Sequence, residues 1–156
     1  EQFSPLFGLD MTMVNSLIAK IEVKKSRNLA MSFTNNQLTE NKTDEFIIGT
    51  GYRFKEVEVT IRSGGRQRNY KSDLNVRLDF SYRNTLTVTR KLIEQVDQPT
   101  AGQRVFTIKA SADYVLSDRF NLRIFYDQVI NRPRIGLSYN STNTNFGVSL
   151  RFTLAS

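Results

Sequence analysis

Neither cysteine nor histidine occurs among the 156 residues. Without cysteine there is no disulfide framework and no thiolate chemistry. Without histidine the commonest general base and the commonest transition-metal ligand are both gone. An enzyme built on this sequence would have to run on carboxylates, lysines and hydroxyls alone. We therefore expect a non-enzyme and assign no catalytic, cofactor-binding or metal-ligating residue. No run approaches the ~18 consecutive apolar residues of a transmembrane helix, which leaves strands as the only way across a bilayer. Internal repeats beyond a hairpin rhythm, low-complexity segments and interdomain linkers are missing too. Glu1 is neither an initiator Met nor the start of a signal peptide, so the chain reads as a mature protein or a piece of a longer one.

The charge is one-sided, with 22 Lys and Arg against 15 Asp and Glu, a formal net +7. These residues form no single basic run. They alternate with apolar ones, as in Lys20-Ile21-Glu22-Val23-Lys24 and Arg77-Leu78-Asp79. That is a solvated strand face carrying both signs. Most aromatics fall on the opposite face, which is wrong for a groove that stacks bases, so no nucleic-acid partner is expected.

The alternation itself is the strongest signal. Phe46-Ile48-Thr50-Tyr52-Phe54, Leu74-Val76-Leu78-Phe80-Tyr82, Phe106-Ile108-Ala110-Ala112-Tyr114, Phe120-Leu122-Ile124-Tyr126 and Phe146-Val148-Leu150-Phe152 each put apolar residues at every second position. Period two means a strand with one apolar face. Aromatics at the ends, with aliphatic or small residues between, match two interfacial girdles around a lipid-facing band. The expected fold is all-β: the antiparallel wall of a transmembrane β-barrel, one segment spanning 1–156.

Turn residues divide the chain into nine expected strands, at 3–13, 16–35, 44–54, 57–63, 72–82, 85–93, 104–116, 119–130 and 144–154. Short turns are expected at Val14-Asn15, Lys55-Glu56, Arg83-Asn84 and Ser117-Asp118, and long connections at 36–43, 64–71, 94–103 and 131–143. Their alternation is that of an outer-membrane barrel, with short turns facing the periplasm. Residues 64–71 and 94–103 should then both be exposed at the cell surface. An odd strand count puts the termini on opposite sides, so this segment should not close by itself but form the last part of a larger barrel. Three charges break the outward pattern: Lys25 and Arg27 on the long second strand, and Arg90 on the sixth. Each should lie near or beyond the membrane interface, or beneath another protein. Residues 135–139 are expected to belong to an elaborated outer loop.

The C-terminal Asn145-Phe146-Gly147-Val148-Ser149-Leu150-Arg151-Phe152 resembles the β-signal read by the barrel-assembly machinery, although the chain continues with Thr153-Leu154-Ala155-Ser156. Ser63-Gly64-Gly65-Arg66 lacks the spacing of a phosphate-binding loop and reads as a flexible barrel loop. Asp10, Glu22, Glu58, Asp79 and Asp113 sit on polar strand faces among cations, as expected of charges lining a water-filled lumen. Calcium at Asp44-Glu45 has no support from ligand spacing.

The connecting strings are more specific than the strands. Asn35-Asn36-Gln37-Leu38-Thr39-Glu40, Asp44-Glu45-Phe46, Gly49-Thr50-Gly51-Tyr52-Arg53-Phe54, Arg62-Ser63-Gly64-Gly65-Arg66-Gln67, Glu94-Gln95-Val96-Asp97-Gln98-Pro99-Thr100-Ala101-Gly102 and the stretch from Ala112 through Arg123 resemble the C-terminal end of the SprA/Sov family. That family is the outer-membrane translocon of the type IX secretion system, and the resemblance covers essentially the whole chain. It implies a very large barrel in the bacterial outer membrane that conducts secreted cargo proteins to the cell surface. It also implies plug proteins and a PorV-like outer-membrane partner, with a passive mechanism gated by those partners. Two other readings stay open: a self-contained small porin or adhesin barrel of eight or ten strands, and a soluble basic β-sandwich acting as a binding module.

Overall fold

The computed structural model describes residues 1–13, 16–63, 66–117, 120–136 and 138–152, with the side chains of 61–63, 66–68, 70, 116 and 117 excepted. The strands are β1 (Gln2–Thr12), β2 (Leu17–Ser32), β3 (Gln37–Ser63), β4 (Arg66–Lys91), β5 (Val96–Ser117), β6 (Phe120–Pro133) and β7 (Ser141–Phe152). They form one antiparallel sheet of seven strands in sequence order. Among the described residues each strand touches only its neighbours in sequence, so β1 and β7 are both free edges and no second sheet covers either face. The expected all-β antiparallel class holds.

The strand count is corrected from nine to seven. Lys55-Glu56 is not a turn but a β-bulge inside β3. The register runs Phe54↔Leu74 and then Val57↔Ser72, three residues against two. Glu56 takes a positive φ of 57°, and its N–H donates to Asp73 Oδ1 at 3.1 Å. Asp73 Oδ2 also accepts from Arg53 Nε at 2.8 Å. One extra residue switches the parity of every side chain after it, which is why the outward face passes from Phe54 to Val57. Tyr114, nearly buried, donates its hydroxyl to the Val57 carbonyl at 2.8 Å. Replacing it by Phe should cost about 0.5–1.5 kcal/mol. Chemical unfolding in detergent checks this, and an unchanged midpoint would remove the hydroxyl from the account of the bulge.

Arg83-Asn84 is likewise no turn. Both residues lie within β4, paired without interruption to Glu45 and Asp44. The connections fall instead at 13–16, 64–65 and 118–119 at one end of the sheet, and at 33–36, 92–95 and 134–140 at the other. Ser63 and Arg66 therefore lie at the end of the sheet opposite Glu94 and Gln95, which corrects the expectation that 64–71 and 94–103 share one side. Much of 36–43, 66–71 and 96–103 is strand. The Gly64-Gly65 loop, the turns at 14–15 and 118–119, and the tail after Phe152 lie outside the described residues. Dropping two turns removes two strands, so the count stays odd and the described ends of the chain lie at opposite ends of the sheet.

Candidate functional site

Exposure along β3 is inverted relative to a water-soluble sheet. Phe46, Ile48, Tyr52 and Phe54 are 37–45% exposed. On the other face Gly49 and Gly51 are buried, and Glu45 and Ile47 are half-buried. Among the described residues only Val105 and Tyr114 are buried apolar side chains. The accessible surface is 11616 Å² for 18.0 kDa, against roughly 8,000 Å² for a compact monomer of that mass. The sheet thus leaves a contiguous apolar face with no layer over it among the described residues, the kind of surface that marks an interaction site.

The register aligns the outward apolar residues into rows. Val23, Phe46, Tyr82, Phe106 and Ile130 are successive cross-strand partners, and the Tyr82 and Phe106 rings sit 5.0 Å apart. Toward the other end, Tyr52 and Phe54 meet edge to face at 4.6 Å and Phe120 stacks on Phe152 at 4.6 Å. Phe46 and Phe54 are eight residues apart, about 26 Å along the strand before tilt, comparable with the ~25 Å apolar band of outer-membrane barrels. Gln128 and Thr144 continue the Ile48–Phe80–Ile108 row. The apolar band thus steps along the strands from β5 to β7 instead of running straight across the sheet.

The three charges that broke the outward pattern all lie beyond the Phe46–Tyr82–Phe106 row. Glu40, only 1% exposed, accepts from Arg27 Nε at 2.5 Å and Arg90 Nη2 at 2.6 Å, with Lys42 Nζ at 3.1 Å. Lys25 pairs with Asp44 at 3.8 Å and Arg90 also approaches Asp97 at 3.7 Å. Burial would raise the Glu40 carboxyl, but hydrogen bonds from Lys42 and Arg27 outweigh it and hold the group below its ordinary 4.5. The folded value being depressed, this contribution is complete above about pH 4.5 and lost as the pH falls through the folded value. Glu40→Gln should flatten that acid limb of the stability profile. An identical limb in both proteins would exclude Glu40 as its source.

The opposite face carries an ordered ladder of charge. Asp79, Lys109 and Asp127 are cross-strand neighbours, and Arg123 Nε lies 3.5 Å from Asp113. Glu22 sits between Lys20 at 3.2 Å and Lys24 at 3.4 Å, Asp10 is the register partner of Lys20, and Glu58 that of Lys71. Asp10, Glu22, Glu58, Asp79 and Asp113 thus each face a cation, the arrangement that stabilises a polar sheet face. An open groove of about 690 Å³ runs along it, lined by Arg53, Asn75, Arg77, Asp79, Lys109 and Asp127 among others. No group of three potential ligands that could hold a metal occurs among the described residues. Asp44 and Glu45, being consecutive in a strand, point to opposite faces.

Two backbone features shape this face. A Cβ on Gly49 would collide with the Asp79 carboxylate, and one on Gly147 would meet Phe125 Cζ at 2.6 Å. The Glu40 hub and the Phe125–Gly147 contact have no linear signature, because they join residues brought together only by register. No protein-family model matches the chain, and no curated protein matches it either.

Proposed function

We propose that this sheet is part of the wall of a transmembrane β-barrel in the bacterial outer membrane, the C-terminal part of a larger barrel. On the resemblance of its connecting strings to the SprA/Sov family, that barrel is the protein-conducting translocon of type IX secretion. The observation that carries the membrane reading is the inverted exposure of β3, with exposed apolar side chains on one face, buried glycines and half-buried side chains on the other, and aromatic rows at both ends of the apolar band. In this reading the Lys–Asp ladder faces a water-filled lumen through which cargo passes, and the aromatic rows lie at the two lipid interfaces. The wall does no chemistry; PorV-like and plug partners gate it. The free edge of β7 suits recognition of a final strand by the assembly machinery.

The intact mass of the native polypeptide carrying this segment, taken from isolated outer membranes, tests the larger barrel. A mass many times 18.0 kDa is expected, and a mass near that value would refute it. Depleting the same polypeptide should leave cargo proteins in the periplasm. Undiminished delivery to the surface would refute the translocon while leaving the barrel standing.

A further inference from the structure

We infer that Arg104, Arg132 and Arg134 form a binding site for the phosphates of an outer-leaflet glycolipid of the lipopolysaccharide class, an inference that rests on the membrane reading above. Arg104 and Arg132 are direct cross-strand partners on the outward face, both exposed. They occupy the first row beyond Phe106, about 7 Å further along the strand. Like charges directly opposite one another repel and would destabilise the pair unless an anion lies between them.

The other cations of this outward rim, Lys25, Arg27, Lys42 and Arg90, each have an acidic partner within the chain. Lys25 has Asp44 at 3.8 Å. Arg27, Lys42 and Arg90 share Glu40 at 2.5, 3.1 and 2.6 Å. Among the described residues no acidic side chain lies in salt-bridge reach of Arg104, Arg132 or Arg134. Arg132 instead lies over the Phe106 ring, 5.6 Å from its centre. Arg134 donates to Asn84 Oδ1 at 3.3 Å, and Asn84 is the register partner of Arg104. The Arg134 N–H also donates to the Gly102 carbonyl at 2.8 Å, which ties the start of the 134–140 connection to β5. Three guanidinium groups are thus gathered on two strands and in the adjoining connection.

Guanidinium groups bind phosphate through paired, charge-assisted hydrogen bonds. The aromatic row marks the headgroup level, which is where lipid phosphates lie. This rim belongs to the end of the sheet that carries the longer 134–140 connection, which in the proposed barrel is the cell-surface side and so the outer leaflet. Phosphorylated glycolipid is therefore the occupant whose charge, depth and leaflet all fit.

The native polypeptide carrying this segment would be placed in phosphatidylcholine nanodiscs containing either bis-phosphorylated or dephosphorylated lipid A. Wild type should prefer the phosphorylated form by about tenfold or more. Arg104→Gln with Arg132→Gln should remove most of that preference. Arg104→Lys with Arg132→Lys should keep much of it, and Lys25→Gln, whose charge is already paired with Asp44, should leave it unchanged. The inference is overturned if the double Gln variant keeps the wild-type preference. It is also overturned if millimolar inorganic phosphate or an acidic soluble peptide displaces the lipid from wild type. Failure of wild type to enter the bilayer at all would overturn the membrane reading as well. Normal insertion without preference would overturn this inference only.

Discussion

Leu78→Arg should cost roughly 2–4 kcal/mol and prevent stable assembly in a bilayer. Leu78 stands midway between the aromatic rows, flanked in register by Thr50 and Ala110, and is 47% exposed. In a water-soluble protein a substitution at so open a site changes stability by no more than about 0.5 kcal/mol, and a new charge favours solubility. In lipid the same guanidinium loses its water, and its small neighbours offer nothing to pair with it. The two environments therefore differ in magnitude severalfold. The neighbouring Arg77 points to the other face, so Arg77→Ala should stay within the soluble range. Unfolding of both variants from phospholipid vesicles measures the contrast. If Leu78→Arg refolds into vesicles with wild-type stability, the outward face does not meet lipid.

The alternation in 106–114, 120–126 and 146–152 was enough to locate β5, β6 and β7 and to say which residues share a face. It works because the side-chain period of a strand is fixed by the backbone, whatever the partner. The errors arose where one local chemistry serves two structures. Lys55-Glu56 carries the polar residues and the positive φ of a turn, but a bulge uses the same features, and only the partner strand distinguishes them. Arg83-Asn84 differs from a turn for a simpler reason. Two adjacent polar residues resemble a turn, yet the outward parity from Leu74 to Arg90 is unbroken, and a turn there would not have preserved it. The charges at Lys25, Arg27 and Arg90 were recognised as exceptions, but not what resolves them. Glu40 lies 13 residues from Arg27 and 50 from Arg90, and only the β2–β3–β4 register brings them together. The Arg104–Arg132 opposition is likewise a property of register.

Gly147→Val should destabilise the sheet by about 1–3 kcal/mol, the usual cost of overpacking, and Phe125→Ala in the same chain should reverse the sign. Two effects compete at this position. Valine is the better strand former and Gly loses more entropy on folding, a difference worth up to ~1 kcal/mol in favour of Val. Against it, the Phe125 ring already fills the space, with Cζ and Cε1 at 2.6 and 2.9 Å from where a Cβ would stand. The clash dominates while the ring is present, and propensity dominates once it is gone. A double-mutant cycle should therefore show a coupling of roughly 1–3 kcal/mol. If Gly147→Val has the same effect in both backgrounds, the ring does not rest on the glycine. The contact matters because β7 is an edge, held only by β6. An aromatic laid across a strand glycine restores the packing the missing side chain forfeits, and here it does so on the charged face of the sheet, leaving Phe146, Val148, Leu150 and Phe152 on the opposite, apolar face. In a larger barrel the other edge of β7 would pair with the next strand of the wall. Loosening the β6–β7 contact should thus impair closure of the barrel before it unfolds the rest of the sheet.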